Sequence, residues 1–174
     1  MSKLLSKTQV KHINEAQSAS LNLPEIILLL QDVTDAINVG SLFRTADAAG
    51  ITKLILCGQT PTPPDNQINT TARGLERRVE WEYQQDASLT IEDLKKSGYQ
   101  IVGVEIDTNS QPYFSTQYTD KVCLILGNEA QGIYKKNLPL CDVIVHIPMF
   151  GKGQSLNVNV SGAIVAYHVI SQFN

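Results

Sequence analysis

Three segments of the chain place glycines and small polar side chains directly after an apolar run. The longest, residues 147–162, breaks at Pro148 into a glycine-bearing loop and continues as a helix that we expect to begin at Ser155. The other two, residues 38–46 and 127–132, follow the apolar runs of two predicted strands. A strand-to-helix junction presents backbone amides and polar groups in one concave place, so these segments predict a site for a small polar molecule.

The individual residues also have simpler explanations. Ser155 can serve only as a helix N-cap, because serine is common there. Glu129 can be an exposed turn residue, and Arg44 can be solvated opposite a core-facing stripe. Residues 151–153, Gly-Lys-Gly, lack both the third glycine of a dinucleotide fingerprint and the spacing of a phosphate-binding P-loop. Taken one at a time, the residues leave these alternatives open.

Together and in this order, the three segments resemble the motifs of the TrmH-like (SpoU) RNA 2'-O-ribose methyltransferases of the SPOUT class. The motifs read Asn38-Val-Gly-Ser-Leu-Phe-Arg44, Gly127-Asn-Glu129-Ala-Gln-Gly132 and Ser155-Leu-Asn157-Val-Asn, and the resemblance runs from about residue 28 to 167. It implies an enzyme that methylates a ribose 2'-hydroxyl of RNA with S-adenosylmethionine. It also implies a deep C-terminal trefoil knot and a homodimer formed through the knot region.

The resemblance assigns positions of this chain to two groups. The first lies around the reaction centre, where the family's arginine is central to catalysis and its asparagine orients the arginine: Asn38, Arg44, Glu129, Ser155 and Asn157. The second contacts the cofactor: Glu105, Leu126, Gly127, Ile147, Met149 and Leu156. Of these, Glu105 lies only near the corresponding family position.

The proposed chemistry of Arg44 has two versions. The family proposal makes the arginine a general base, although a guanidinium offers no acceptor. Removing its proton near pH 7 costs roughly 7 kcal/mol, because its pKa lies above about 12. We expect Arg44 to bind the adjacent phosphate and to stabilise the developing alkoxide, and a transient loss of its proton remains open.

The charge balance gives the main argument against an RNA substrate. The net charge is −3 and the pI is about 5.6, which is unlike a strongly basic nucleic-acid binder. Local basic groups occur at Arg73, Arg77 and Arg78, at residues 135–136, and at three lysines spaced every four residues: Lys3, Lys7 and Lys11. Each group can be a solvated face. Arg73 departs from the small or apolar residues common in the family, and its role is left open.

The composition indicates a globular protein, with 43% hydrophobic and 18% charged residues. The longest aliphatic run, residues 26–30, is too short to cross a membrane, and the first residues do not resemble a signal peptide. We therefore expect a cytoplasmic protein. The cysteines and histidines are scattered, so the sequence gives no reason to propose a disulfide or a metal. We expect the cysteines, and also His146, to be core residues.

Strand and helix patterns alternate along the chain, which predicts an α/β fold with a mostly parallel sheet flanked by helices. The predicted strands are 25–31, 53–57, 79–83, 99–106, 121–126 and 142–147. The predicted helices are 2–20, a helix from Asn38 or Ser41 to Gly50, 88–97, 133–138 and 155–173. We expect an N-terminal helical extension (residues 1–23) and one SPOUT methyltransferase domain (residues 24–174). The last helix is apolar nearly all round, which favours a homodimer.

The choice of RNA is argued from what the sequence lacks. Only about two dozen residues precede the first strand, and the chain ends directly after the last helix. We therefore expect tRNA rather than rRNA as the substrate. The alternatives are an rRNA 2'-O-methyltransferase and a non-catalytic RNA-binding protein that retains the knot fold. Methylation of a small molecule or protein is a third, favoured only by the acidic pI.

Overall fold

Seven parallel strands form one sheet in the computed structural model, which describes residues 4–173 and, at 17–20, the backbone alone. They are β1 (Glu25–Gln31), β2 (Lys53–Cys57), β3 (Trp81–Gln84), β4 (Gln100–Val104), β5 (Gln111–Pro112), β6 (Lys121–Leu126) and β7 (Val143–His146). Their order in the sheet is β3-β2-β1-β6-β4-β7-β5. Every neighbouring pair runs parallel, as predicted.

Helices cover both faces of this sheet. They are α2 (Ala36–Ala49), α3 (Asn66–Ala72), α4 (Ala87–Lys96) and α5 (Val158–Ser171), with short 3-10 turns at Leu75–Arg77, Tyr113–Ser115 and Leu138–Leu140. A further helix, α1 (Lys7–Ser20), precedes β1 and contributes no described side chain to the core. Alternate residues of β1 enter two core layers. Leu28 and Leu30 pack in the layer with α2 and α5, whereas Ile27 and Leu29 pack in the layer with α4. This two-sided burial explains the unbroken apolar run of β1.

The strand predictions were the most accurate, and three of them match in both bounds: β1, β2 and β6. The predicted starts of two helices were wrong. Helix α2 begins at Ala36, because the carboxylate of Asp35 accepts the Ile37 N–H and caps it. Helix α5 begins at Val158, because the side chain of Asn157, and not that of Ser155, caps its first turn.

The predicted helix at 133–138 was also wrong, and helix α3 was missed. Residues 135–137 form a turn that leads into the 3-10 turn at Leu138–Leu140. Asn137 is fully buried there, and its side chain bonds to those of Gln31 and Ser88. These long-range hydrogen bonds favour the turn over a regular helix.

Helix α1 begins with a capping box between Ser6 and Gln9, and its side chains are exposed over residues 7–16. The predicted helix also included residues 4–6, but these residues precede α1; residues 2 and 3, and with them Lys3, lie outside the described residues. No helix within residues 4–173 is long and apolar enough to span a membrane.

Candidate cofactor cavity and the three motifs around it

A cavity of about 740 Å³ lies beyond the carboxyl ends of β4, β6 and β7. Open α/β sheets bind ligands in this position. All the positions predicted to contact the cofactor line it, namely Glu105, Leu126, Gly127, Ile147, Met149 and Leu156. Three of the residues predicted to act in catalysis line it as well: Glu129, Ser155 and Asn157. The fold thus brings the second and third motifs to one cavity.

The second motif forms one wall of the cavity as a tight loop. The backbones of Asn128 and Gly132 exchange hydrogen bonds of 3.1 and 2.8 Å, which brings Gly127 against the backbone of Gly132. A Cβ at Gly127 would lie only 2.5 Å from the Gly132 carbonyl oxygen, so no larger residue fits. Glu105 supports the loop from β4, since its carboxylate accepts the Ile133 N–H at 2.8 Å.

Glu129 connects this loop to the start of α2. Its Oε1 accepts hydrogen bonds from Asn38 Nδ2 at 2.9 Å and from the Asp35 N–H at 3.1 Å. Its Oε2 accepts from the N–H and the hydroxyl of Thr34 at 3.1 and 3.3 Å. Partial burial tends to raise the pKa of Glu129, but these hydrogen bonds outweigh it and lower the pKa. Glu129 is therefore ionised at neutral pH.

Asn38 joins all three motifs, although it does not line the cavity. It is buried, donates from Nδ2 to Glu129, and accepts at Oδ1 from Asn157 Nδ2 at 2.8 Å. An ionised carboxylate can only accept, so the amide orientation of Asn38 is fixed by Glu129. Ser155 is exposed at the cavity and, among the described residues, its hydroxyl has no hydrogen-bond partner within reach.

The structure does not bring Arg44 to this cavity. Arg44 follows Asn38 by six residues, which turns it about 120° around the axis of α2. Its side chain is exposed and lines a shallow hollow of about 320 Å³ between α2 and α5. The other residues of that hollow are Ser41, Thr45, Ala48, Asn159 and Tyr167.

Two residues near the cavity were missed or misread in the sequence. Gln31 is fully buried at the end of β1. Its Nε2 donates to the Gly132 carbonyl oxygen at 3.4 Å, and its Oε1 accepts from Asn137 Nδ2 at 2.6 Å. The sequence offered one signal for a role of Gln31, since this polar residue ends a run that is otherwise apolar and buried. His146, expected in the core, is half-buried and lines the cavity, and its Nδ1 lies 2.9 Å from Ser110 Oγ.

The cysteines behave as the sequence predicted, with Cys57 and Cys123 buried and Cys141 half-buried. Burial raises the pKa of the Cys57 thiol to about 12 and that of Cys141 to about 11, so both stay protonated at neutral pH. Within residues 4–173, no cluster of three or more His, Cys, Asp or Glu side chains is arranged to hold a metal ion.

Comparison with known proteins defines the class. The model of the "SpoU rRNA Methylase family" matches residues 25–167. The chain therefore belongs to this family.

Among its relatives, the 23S rRNA (guanosine-2'-O-)-methyltransferase RlmB of Blochmanniella floridana is 32% identical over 151 residues, which cover 87% of this chain and 59% of the relative. The 23S rRNA (guanosine(2553)-2'-O)-methyltransferase RlmP of Bacillus subtilis is 30% identical over 143 residues, covering 82% and 57%. The chain thus spans less than two thirds of the length of these relatives.

Solved structures agree with the fold. The AdoMet-bound rRNA methyltransferase from Sinorhizobium meliloti superposes with a TM-score of 0.81 at 25% identity, covering 86% of this chain and 57% of that one. The A. aeolicus TrmH/SpoU tRNA modifying enzyme has a TM-score of 0.79 at 25% identity, covering 94% and 83%.

Proposed function

We propose that this protein methylates a ribose 2'-hydroxyl of ribosomal RNA with S-adenosylmethionine. One observation carries the proposal: the positions matched to the family's cofactor contacts line one cavity, and Asn38 ties the three motifs together at its edge. The relatives RlmB and RlmP are 23S rRNA methyltransferases, so they favour rRNA over the tRNA that the sequence analysis expected. The tRNA-modifying structural neighbour makes tRNA the natural comparison substrate.

The cavity suits the proposed cofactor in size and chemistry. Its volume of about 740 Å³ lies in the range of roughly 300–1,000 Å³ that is typical of small-molecule sites. Leu126, Ile147, Met149 and Leu156 give it an apolar wall, and the Gly127 loop allows close backbone approach. When bound, S-adenosylmethionine supplies an activated methyl group on a positively charged sulfur.

The side chains around the cavity would position the ribose. Glu129 is a poor proton acceptor, because its pKa is lowered and its oxygens already accept four hydrogen bonds. It holds the start of α2 and places negative charge beside the cavity. The exposed hydroxyl of Ser155 at the cavity can hydrogen-bond a ribose oxygen. Arg44 supplies the positive charge that stabilises the developing alkoxide.

In a homodimer, Arg44 can lie next to a cofactor cavity that it does not reach within its own chain. We propose that this homodimer forms through α2 and α5. Thr45 Oγ1 donates to Asn159 Oδ1 at 2.7 Å and holds the two helices together, and Arg44 lies in the hollow between them. Large apolar side chains are exposed on the same helices: Ile37, Val160 and Tyr167. Covering this surface with a second copy would bury them and place Arg44 at the subunit boundary. We also propose the C-terminal trefoil knot of the family within residues 24–174.

Replacing Gly127 with alanine tests the cofactor cavity. The added Cβ would collide with the backbone of Gly132 and Ile133, so the wall of the cavity must shift. We expect Gly127→Ala to weaken S-adenosylmethionine binding at least about 10-fold, measured by titration calorimetry. Gly151→Ala is the matched control, because a Cβ there meets no atom within 4 Å. Equal binding by Gly127→Ala and the wild type would contradict the assignment of the cavity.

The substrate class is tested with S-[methyl-³H]adenosylmethionine and unmodified transcripts of 23S rRNA and of bulk tRNA in parallel. We expect label in rRNA and at least about 10-fold less in tRNA, since one good specific contact already gives such discrimination. Preferential labelling of tRNA would overturn the choice of rRNA. Cofactor binding without label in either RNA would favour a non-catalytic RNA-binding protein.

A further inference from the structure

Arginines are confined to one part of this molecule. The chain has ten lysines spread along its length, but its four arginines occur only at Arg44, Arg73, Arg77 and Arg78. Arg44 lies on α2, and the other three lie at the end of α3 and around the 3-10 turn Leu75–Arg77. We call these four residues the arginine face. Arginine differs from lysine in presenting a planar fork of donors that matches the oxygens of a phosphate.

The segment that carries Arg73, Arg77 and Arg78 is fixed against α2. A Cβ at Gly40 would lie 2.8 Å from Thr71 Cβ and 2.9 Å from the Ile68 carbonyl oxygen, so α3 packs directly on the backbone of α2. Arg44 follows Gly40 by four residues and therefore lies one turn further along the same side of α2. The packing of α3 thus holds the segment that carries Arg73, Arg77 and Arg78 beside the helix that carries Arg44.

Most of this positive charge is left without a partner in the protein. Within residues 4–173, Arg44, Arg73 and Arg78 are exposed and have no carboxylate oxygen within 4.0 Å of their nitrogens. Arg77 lies 3.5 Å from its neighbour Glu76 and is still 79% exposed. Lysines behave differently, since six of them pair with carboxylates: Lys11, Lys53, Lys95, Lys96, Lys121 and Lys136.

Arg73 also adopts a backbone conformation that disfavours its own side chain. Its φ is +56°, in the left-handed region, at the C-cap of α3. Glycine or asparagine is the usual residue at such a helix end, because an L side chain is strained there. An arginine at this position lowers the stability of the folded protein, which suggests a functional reason for its charge.

We infer that Arg73, Arg77 and Arg78, together with Arg44, form a binding surface for the phosphodiester backbone of an RNA strand. Arg73, Arg77 and Arg78 lie on a segment packed against the helix that carries Arg44, so the surface can bind the RNA strand next to the ribose that is methylated. The inference rests on the proposed function. It assigns RNA binding to a local group of arginines, which explains how a protein with a net charge of −3 can bind RNA. The contacts go to phosphates, so the surface is expected to bind RNA of any sequence.

The test measures the affinity of the full chain for a fluorescein-labelled 30-nucleotide poly(A) RNA between 50 and 200 mM NaCl. Arg73, Arg77 and Arg78 are replaced together by alanine or together by lysine, with Arg44 kept. Each lost contact to single-stranded RNA lowers the slope of log K against log salt by about 0.7. We expect the triple alanine variant to lower the slope by about 2 and to bind at least about 10-fold more weakly at 50 mM NaCl. The lysine variant should recover most of the slope.

Two single substitutions keep the inference falsifiable if the triple variant folds poorly. Arg73→Gly should raise Tm, because glycine relieves the strain, and should still weaken RNA binding. Lys96→Ala removes an exposed cation on α4, whose partner is Asp93, and should leave RNA binding unchanged. An Arg73→Gly protein that binds RNA like the wild type overturns a role for Arg73.

The failure of this inference can be distinguished from failure of the proposed function. S-adenosylmethionine binding is measured on the same variants without RNA, and it should not change. In one outcome, the wild type binds both cofactor and RNA, and the triple alanine variant keeps the full RNA affinity and salt slope. The arginine face then does not bind RNA, and the proposed function stands. If the wild type binds neither poly(A) nor 23S rRNA at 50 mM NaCl, both are wrong.

Discussion

Replacing Arg44 with alanine is expected to slow methyl transfer at least about 100-fold while the protein stays folded and binds its cofactor. Arg44 is exposed and lies outside the cavity, so its loss should change the free energy of unfolding by no more than about 0.5 kcal/mol. Loss of a group that stabilises a developing negative charge typically lowers turnover by about 10²–10³-fold. Single-turnover methylation at saturating RNA and titration calorimetry with S-adenosylmethionine measure the two effects separately.

The lysine variant separates charge from geometry at this position. Arg44→Lys keeps the positive charge but loses the planar fork, and it also adds a group whose proton is easier to remove. We expect turnover to remain at least about 10-fold below the wild type. Near-normal turnover, or a gain in turnover as the lysine deprotonates at high pH, would contradict a specific role of the guanidinium.

The second large effect is expected at Asn38, where an aspartate would convert a hydrogen bond into a repulsion. Asn38 Nδ2 donates to Glu129 Oε1 at 2.9 Å, so Asn38→Asp would place two carboxylates in contact. The hydrogen bond from Asn157 to Oδ1 can be kept, because aspartate retains that acceptor. We expect a loss of about 1–3 kcal/mol in the free energy of unfolding and a lower turnover, measured by denaturant titration and by methylation assays.

A second substitution should reverse much of this effect. In the double variant Asn38→Asp/Glu129→Gln, the glutamine can donate to the aspartate, so this hydrogen bond returns with its direction reversed, although the amide nitrogen can no longer accept from the Asp35 N–H. We expect the double variant to be more stable than Asn38→Asp alone, with a favourable coupling energy in the double-mutant cycle. Additive effects of the two substitutions would show that Asn38 and Glu129 do not interact as described.

Much of the fold could be predicted from local patterns. The strands β1, β2 and β6 are continuous apolar runs, because each is buried on both faces, and such runs are easy to delimit. The helix starts were harder, since several residues near each start can cap a helix. Asp35 and Asn157 serve as the caps, whereas Asn38 and Ser155 belong to the candidate site.

The candidate site could be predicted only in part. The resemblance brought together residues that lie more than ninety positions apart, such as Asn38 and Glu129, and the structure places them in direct contact. A six-residue spacing separates Asn38 and Arg44 by about 120° only if both lie in one helix, and the predicted start at Asn38 or Ser41 left that undecided. Gln31 was missed for a related reason: its role depends on a loop that folds back from residue 132.

The position of the transferred methyl group tests the central claim most directly. The purified protein is incubated with S-[methyl-³H]adenosylmethionine and unmodified 23S rRNA, and the RNA is then digested in alkali. A methylated 2'-oxygen cannot take part in the cleavage, so the account predicts that the label appears in alkali-resistant dinucleotides. Label found only in mononucleotides would mean that a base is methylated, and it would contradict ribose 2'-O-methylation.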